Sequence, residues 1–263
     1  MKTTDVKAYS NGKNGGIQVF VCKDYDALSA KAAAIVSGEI NKKAKFVLGL
    51  ATGTSPIGLY TNLAELNAEG KVDFAGVTTY NLDEYYPIDP ANDQSYRYFM
   101  DKYLFKKVNI PYENTHLLNG KAADAEVECK EYDEAIVNAG NVDLQVLGIG
   151  CNGHIGFNEP GDKFIWGTHK VTLTENTIEA NSRLFNSADE VPRHALSMGI
   201  GAIMNAKQIV LVANGKNKAQ AIKDALEGEI SPYCQASILQ LHPNVTFIID
   251  EDAASMLDAY KAL

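Results

Sequence analysis

Short apolar runs rich in β-branched residues recur along the chain and alternate with stretches of helical period. IQVFV at 17–21 precedes a helical pattern over roughly 25–41, and KFVLGL follows at 45–50, the alternation of a βαβ unit. TTYNL at 78–82, VDLQVLGIG at 142–150, KQIVLVA at 207–213 and VTFIID at 245–250 have the unbroken apolarity of strands covered on both faces. ADAEVECKEYDEAIVNAG, NKAQAIKDALEG and EDAASMLDAYKAL read as helices lying between or after those strands, as crossover connections require. The pattern predicts an α/β fold: a doubly wound, mostly parallel, Rossmann-like sheet with helices on both faces. A single domain is expected over 17–263. Residues 1–16 are polar, Gly/Asn-rich and aperiodic, and read as an N-terminal extension, either a tail or an extra surface strand.

Composition narrows the function classes. With 263 residues, 46% of them hydrophobic, the chain can bury a large core. No apolar run approaches the ~20 residues needed to cross a bilayer, and the N-terminus lacks the apolar centre of a signal peptide. A soluble cytoplasmic protein with no membrane partner is expected. Twenty-four basic against thirty-three acidic residues give 24 − 33 = −9, with no basic cluster long enough to track a nucleic-acid backbone. Nucleic acid is therefore not an expected partner. Such a surface repels a phosphorylated metabolite at long range, so an anion site must be built from local amides and a few cations. Cys22, Cys129, Cys151 and Cys234 form no CxxC pair and are expected as reduced thiols, mostly packed in the interior. Self-association into a homo-oligomer is not legible in the sequence.

Ligands of doubly wound sheets bind beyond the carboxyl ends of the strands, and four such places carry chemistry. In LATGTSPIGLY, Gly53, Thr54 and Ser55 follow a strand and Pro56 is placed to open a helix. Amides at a helix N-terminus beside two hydroxyls make an anion cradle; an ordinary capped turn is the alternative. Neither the GK[ST] ending of a Walker loop nor GxGxxG spacing is present, which argues against nucleotides. In YNLDEYYP, Asp83 and Glu84 end a strand inside a run of aromatics. Desolvation there would raise a carboxylate pKa and suit it to act as a base. Adjacent residues on extended backbone face opposite ways, so one of the two is expected to enter a site.

LGIGCNGHIGFNEPG is the densest signal. Glycines let the backbone approach a ligand, and Asn152, His154 and Glu159 lie within eight residues. A histidine so framed, with a carboxylate to orient its imidazole, points to acid-base catalysis. One His and one Glu leave a metal coordination shell short, so no metal is expected. Arg183 in NSRLF and Lys218 in NGKNKAQ are cations suited to a phosphate, bidentate and point-like respectively.

Taken in order and spacing, ATGTSPIGLY, NLDEYY, GIGCNGHIGFNEPG, ANSRLF and NGKNKA resemble the signature segments of the glucosamine-6-phosphate deaminase family over roughly residues 17–260. The resemblance implies an enzyme that opens the pyranose of glucosamine 6-phosphate, moves a proton from C2 to C1 and releases ammonia, leaving fructose 6-phosphate. No cofactor is implied. Asp83 matches the family's base, with Glu84 a supporting neighbour, and His154 matches the ring-opening histidine, with Glu159 as its anionic partner. Gly53, Thr54, Ser55, Arg183 and Lys218 match the phosphate-binding set. Asn152 stands where some members carry aspartate, so Glu159 is expected to act as the sole carboxylate beside the histidine. The segment from Glu159 to Arg183 reads either as a lid or as a β-excursion with a helix cap. Two other readings compete, a sugar-phosphate lactonase of related fold and a non-catalytic sugar-phosphate sensor. FNEP and NLDEYY argue against the first, and the presence of Asp83, His154 and Glu159 against the second.

Overall fold

The apolar runs form strands in the computed structural model, which describes residues 6–10, 16–182, 185, 187 and 190–261. The main sheet has eight strands. From one edge to the other they are β1 (Val6–Ser10), β2 (Ile17–Cys22), β11 (Val245–Asp250), β10 (Ile209–Ala213), β7 (Leu144–Leu147), β3 (Phe46–Leu50), β4 (Val77–Asn81) and β6 (Thr115–His116). All neighbours run parallel except β1, which pairs antiparallel with β2. Every residue of β7, β10 and β11 is buried, so helices cover both faces of the centre of the sheet, the condition under which strands can be continuously apolar.

Helix starts follow local chemistry. Asp24 Oδ1 accepts the N–H of Ala27 at 2.8 Å to open α1 (Tyr25–Ile40). Asp124 caps α4 (Ala125–Asn138) and Ser95 caps α3 (Tyr96–Tyr103) in the same way, each satisfying a donor that the first turn leaves unpaired. By contrast α2 (Ile57–Ala68) begins after Pro56 with no side-chain cap.

From β3 the chain steps outward to β4 and β6, then returns to the other side of β3 and continues through β7, β10 and β11. The direction of winding reverses between β3 and β7, and this switch point opens a crevice beyond the carboxyl ends of the strands.

A second sheet was not evident from the hydrophobic pattern. β5 (Asp83–Tyr86), β9 (His194–Ser197) and β8 (His169–Thr172) form an antiparallel trio in the order β5-β9-β8. Asp83 therefore begins a new strand instead of ending the old one: Leu82 receives the N–H of Met198 at 2.7 Å and the chain crosses from one sheet to the other. The segment after Glu159 becomes β8 and α5 (Glu175–Ser182), with Leu173 and Ile178 in a small apolar cluster that includes Tyr85, Phe157 and Ala195. Two further expectations shorten. The strand expected over 142–150 keeps only Leu144–Leu147, because the following glycines turn away. The final helical pattern breaks at buried Leu257 into α8 (Glu251–Ala254) and α9 (Asp258–Lys261). Earlier in the chain, α6 (Ile200–Met204) follows β9 and α7 (Ala219–Glu227) follows β10.

Candidate active site

A cleft of about 610 Å³ lies over the switch point. Its floor comes from the turns after β3 and β7, one wall from β5 and α3, and another from the turn after β10. Gly53, Thr54, Ser55, Asp83, Asn152, His154 and Lys218 all line it. Glu84 and Glu159 are not on its surface, and Arg183 lies outside the described residues.

The turn after β3 is shaped to receive an anion. Gly53 has φ +96°, a conformation that side chains with a Cβ resist. Among the described residues the N–H groups of Gly53, Thr54 and Ser55 have no protein acceptor, and they sit at the positive end of α2. Ser55 Oγ donates to Asn214 Oδ1 at 2.8 Å, tying this turn to the one that carries Lys218. That second turn is fixed in its own right, since Gly215 N–H donates to both carboxylate oxygens of Asp250 at 3.0 and 2.9 Å. Lys218 is half-buried, and burial pulls its ammonium pKa below the usual value. An anion bound beside it would offset that cost.

Asp83 faces the cleft and is 7% exposed. Burial, with Glu84 next to it, pushes its pKa up to about 8. The apolar surroundings are Tyr85, Tyr96 and Phe157. The ring of Tyr85 lies 5.0 Å from that of Tyr96 and 5.9 Å from that of Phe157, and Tyr96 and Phe157 stack at 6.0 Å with an interplanar angle of 9°. Glu84 turns the other way, into the protein.

The turn after β7 presents His154. Gly150 N–H donates to the His154 carbonyl at 2.9 Å and Gly153 N–H to that of Gly150 at 3.1 Å, closing a compact loop. The imidazole folds across Gly150 so closely that a Cβ there would stand 2.4 Å from its Cε1. His154 Nδ1 lies 3.5 Å from Glu159 Oε2, and Asn152 completes the group: its Nδ2 donates to the same oxygen at 2.8 Å, and its Oδ1 accepts the His154 N–H at 3.2 Å. Glu159 thus stands behind the histidine, with its carboxylate beside the imidazole.

Sequence reasoning missed the contribution of α3. Tyr96, Phe99, Lys102 and Tyr103 line the cleft, brought there by a helix that follows no strand of the main sheet. Cys151 also lines the cleft and is exposed, whereas Cys22 and Cys129 are buried, and all four thiols are free. Among the described residues no group of three or more His, Cys, Asp and Glu side chains is arranged to hold a metal ion, and no helix is long and apolar enough to cross a membrane.

Comparison with known proteins gives a consistent picture. The family of glucosamine-6-phosphate isomerases and 6-phosphogluconolactonase matches residues 23–245. Glucosamine-6-phosphate deaminase of Thermoanaerobacter pseudethanolicus is 52% identical over 241 residues, covering 92% of this chain and 95% of that protein. The protein of the same name from Clostridioides difficile is 52% identical over 242 residues, covering 92% and 97%. Among solved structures, a monomeric glucosamine-6-phosphate deaminase superposes with a TM-score of 0.88 at 44% identity, over 90% of this chain and 99% of that one. A 6-phosphogluconolactonase from Thermotoga maritima gives 0.70 at 20% identity, over 88% and 98%, a likeness of fold alone.

Proposed function

Because the chain belongs to the glucosamine-6-phosphate isomerase and 6-phosphogluconolactonase family, we propose that it converts glucosamine 6-phosphate and water into fructose 6-phosphate and ammonia, in the cytoplasm. One observation of the site carries this reading. Asp83 is a buried carboxylate with its pKa raised to about 8, on the wall of a cleft that also holds an anion cradle and a histidine-carboxylate pair. A lactonase must activate water towards a carbonyl, whereas a carbon acid such as C2 of an amino sugar needs a desolvated, strongly basic carboxylate.

The steps follow from the residues. The amides of Gly53, Thr54 and Ser55 and the Thr54 hydroxyl, with the Lys218 ammonium, hold the phosphate and so fix the sugar carbons relative to the opposite wall. Arg183 joins this set on the family resemblance. His154 takes the proton of the C1 hydroxyl and delivers it to the ring oxygen as the pyranose opens, its imidazolium stabilised by Glu159. Asp83 removes the C2 proton and returns it at C1. The C2 amine gives up a proton that ends on O1, now the C1 hydroxyl, and is left as an imine; water adds to that imine and ammonia departs, leaving the C2 ketone. The C1–O5 and C2–N cleavages are both assisted by proton transfer and the sequence has no net change of oxidation state, so acid-base groups of the kind this chain supplies carry each step.

The test is release of ammonia and fructose 6-phosphate from glucosamine 6-phosphate by purified protein with EDTA present. Asp83→Asn should lower kcat roughly a hundredfold or more while the sugar phosphate still binds. A native chain that binds the sugar phosphate and releases no ammonia would defeat the proposal.

A further inference from the structure

Glu84 follows Asp83 in sequence, is 2% exposed, and does not line the cleft. Its Oε1 accepts the N–H groups of Tyr85 at 3.0 Å and Tyr96 at 2.9 Å, and its Oε2 accepts that of Arg97 at 3.0 Å. Tyr96 and Arg97 are the first two residues of α3, positions whose amides have no partner within a helix. A carboxylate there also meets the positive end of the helix dipole. Burial still lifts the Glu84 pKa to about 7 against these three amides and the nearby Arg97 guanidinium, so this placement carries a cost that packing alone does not require.

What α3 does with that anchorage is visible at its first residue. Tyr96 stacks on Phe157, three residues beyond His154 in the same loop. Phe157 N–H in turn donates to Ser197 Oγ at 3.0 Å, and Ser197 is the strand partner of Asp83. On the far side, Arg97 Nη1 and Nη2 donate to Thr115 Oγ1 at 2.8 Å and to the Thr115 carbonyl at 2.9 Å, pinning the same turn to the edge of the main sheet.

We propose that Glu84 is a positioning residue: it fastens the first turn of α3 to the strand that carries Asp83 and, through Tyr96 on Phe157, holds the His154 loop at a set spacing from the base. The roles of Asp83 and His154 in this statement rest on the deaminase reading above. Misplacement of catalytic groups by about 1 Å can cost ~10²-fold in rate, so loosening this fastening should act on turnover more than on binding.

Glu84→Gln keeps an acceptor for Tyr85 and Tyr96 but turns an NH₂ group against the Arg97 N–H and removes the charge. The groups facing position 84 are Asp83 and Tyr85 on its own strand and Tyr96 and Arg97 on α3. For E84Q, kcat should fall about tenfold or more with KM for glucosamine 6-phosphate within about twofold, because the phosphate cradle is untouched. The limb of the pH profile that reports Asp83 should also move to lower pH, since a neighbouring negative charge no longer opposes its ionisation. An unchanged kcat per folded site with an unmoved limb overturns the assignment. Should E84Q fail to fold, hydrogen exchange on the native chain decides: Tyr96 and Arg97 amides protected about a hundredfold or more support the fastening, and unprotected amides overturn it. A native chain that releases no ammonia removes the deaminase reading and this role with it. An active native chain beside an E84Q chain of equal kcat removes only the role of Glu84.

Discussion

Asn152 makes two bonds that call for different ends of one amide, donating to Glu159 and accepting from the His154 backbone. An aspartate of the same shape keeps the second bond and loses the first, setting two carboxylates side by side. One of them must then hold a proton or repel its neighbour. The folded-state pKa of the pair rises, so Asn152→Asp should be tolerated at acid pH and should lose stability as pH rises through that raised value. The loss is expected to reach about 1 kcal/mol, discounted because residue 152 is exposed. Denaturant midpoints of both proteins at acid and mildly alkaline pH would show it, and a difference independent of pH would mean that 152 and 159 do not touch. Much of this group was legible in the sequence because its members lie within eight residues of one another. What the sequence withheld was the geometry: an amide side chain can donate or accept, and only the fold shows that this one does both. Similarly, the opposite facing of Asp83 and Glu84 follows from strand geometry, but the destination of Glu84 at the start of α3 does not, because Arg97 lies thirteen positions further on, across a stretch that is mostly irregular chain.

Among the elements, the turn after β7 shows how a loop can set the attitude of a ring. Gly150 has no side chain because the His154 imidazole occupies the space. Gly150→Ala leaves the strand and its burial intact and should force the ring aside. We expect kcat/KM to fall at least about tenfold with little change in Tm, since the imidazole can swing towards solvent and relieve the overlap without disturbing the core. Kinetics and a thermal melt on the same preparation would check this; equal losses in both would indicate a general disruption of the loop. The main sheet was readable from its apolar runs because each central strand is buried on both faces. The β5-β9-β8 sheet was not, for a physical reason. Its strands are four residues long, and β5 continues directly from β4 after Leu82, so no change of period marks the break. The pairing that defines it, Asp83 with Ser197, joins distant parts of the chain and leaves no local trace.

At the scale of the whole molecule, the site opposes the stability of its fold. Asp83 and Glu84 have ordinary pKa values of 3.8 and 4.5 and folded ones of about 8 and about 7. Between these limits the folded protein holds protons that the unfolded chain has released, so folding is favoured by acid and the advantage is lost as pH rises towards about 8. Without substrate, Tm should decline by several degrees from about pH 5.5 to about pH 8.5, and Asp83→Asn should flatten the decline. Activity should run in the opposite sense, because the base works only when ionised. Thermal melts and pH-rate profiles over the same range test both, and a Tm that rises across it would contradict the burial of these carboxylates. The order of strands has a further consequence, and it concerns how the molecule is made. β2 lies against β11, with Ile17 opposite Val245, so the earliest strand of the parallel array waits for the last. A nascent chain must carry β2 with one edge unpaired until β11 has been made, and a refolding chain must close the long stretch between the two strands before that pairing returns anything. Late closure of this seam, with an unpaired strand edge exposed until it forms, follows from the strand order.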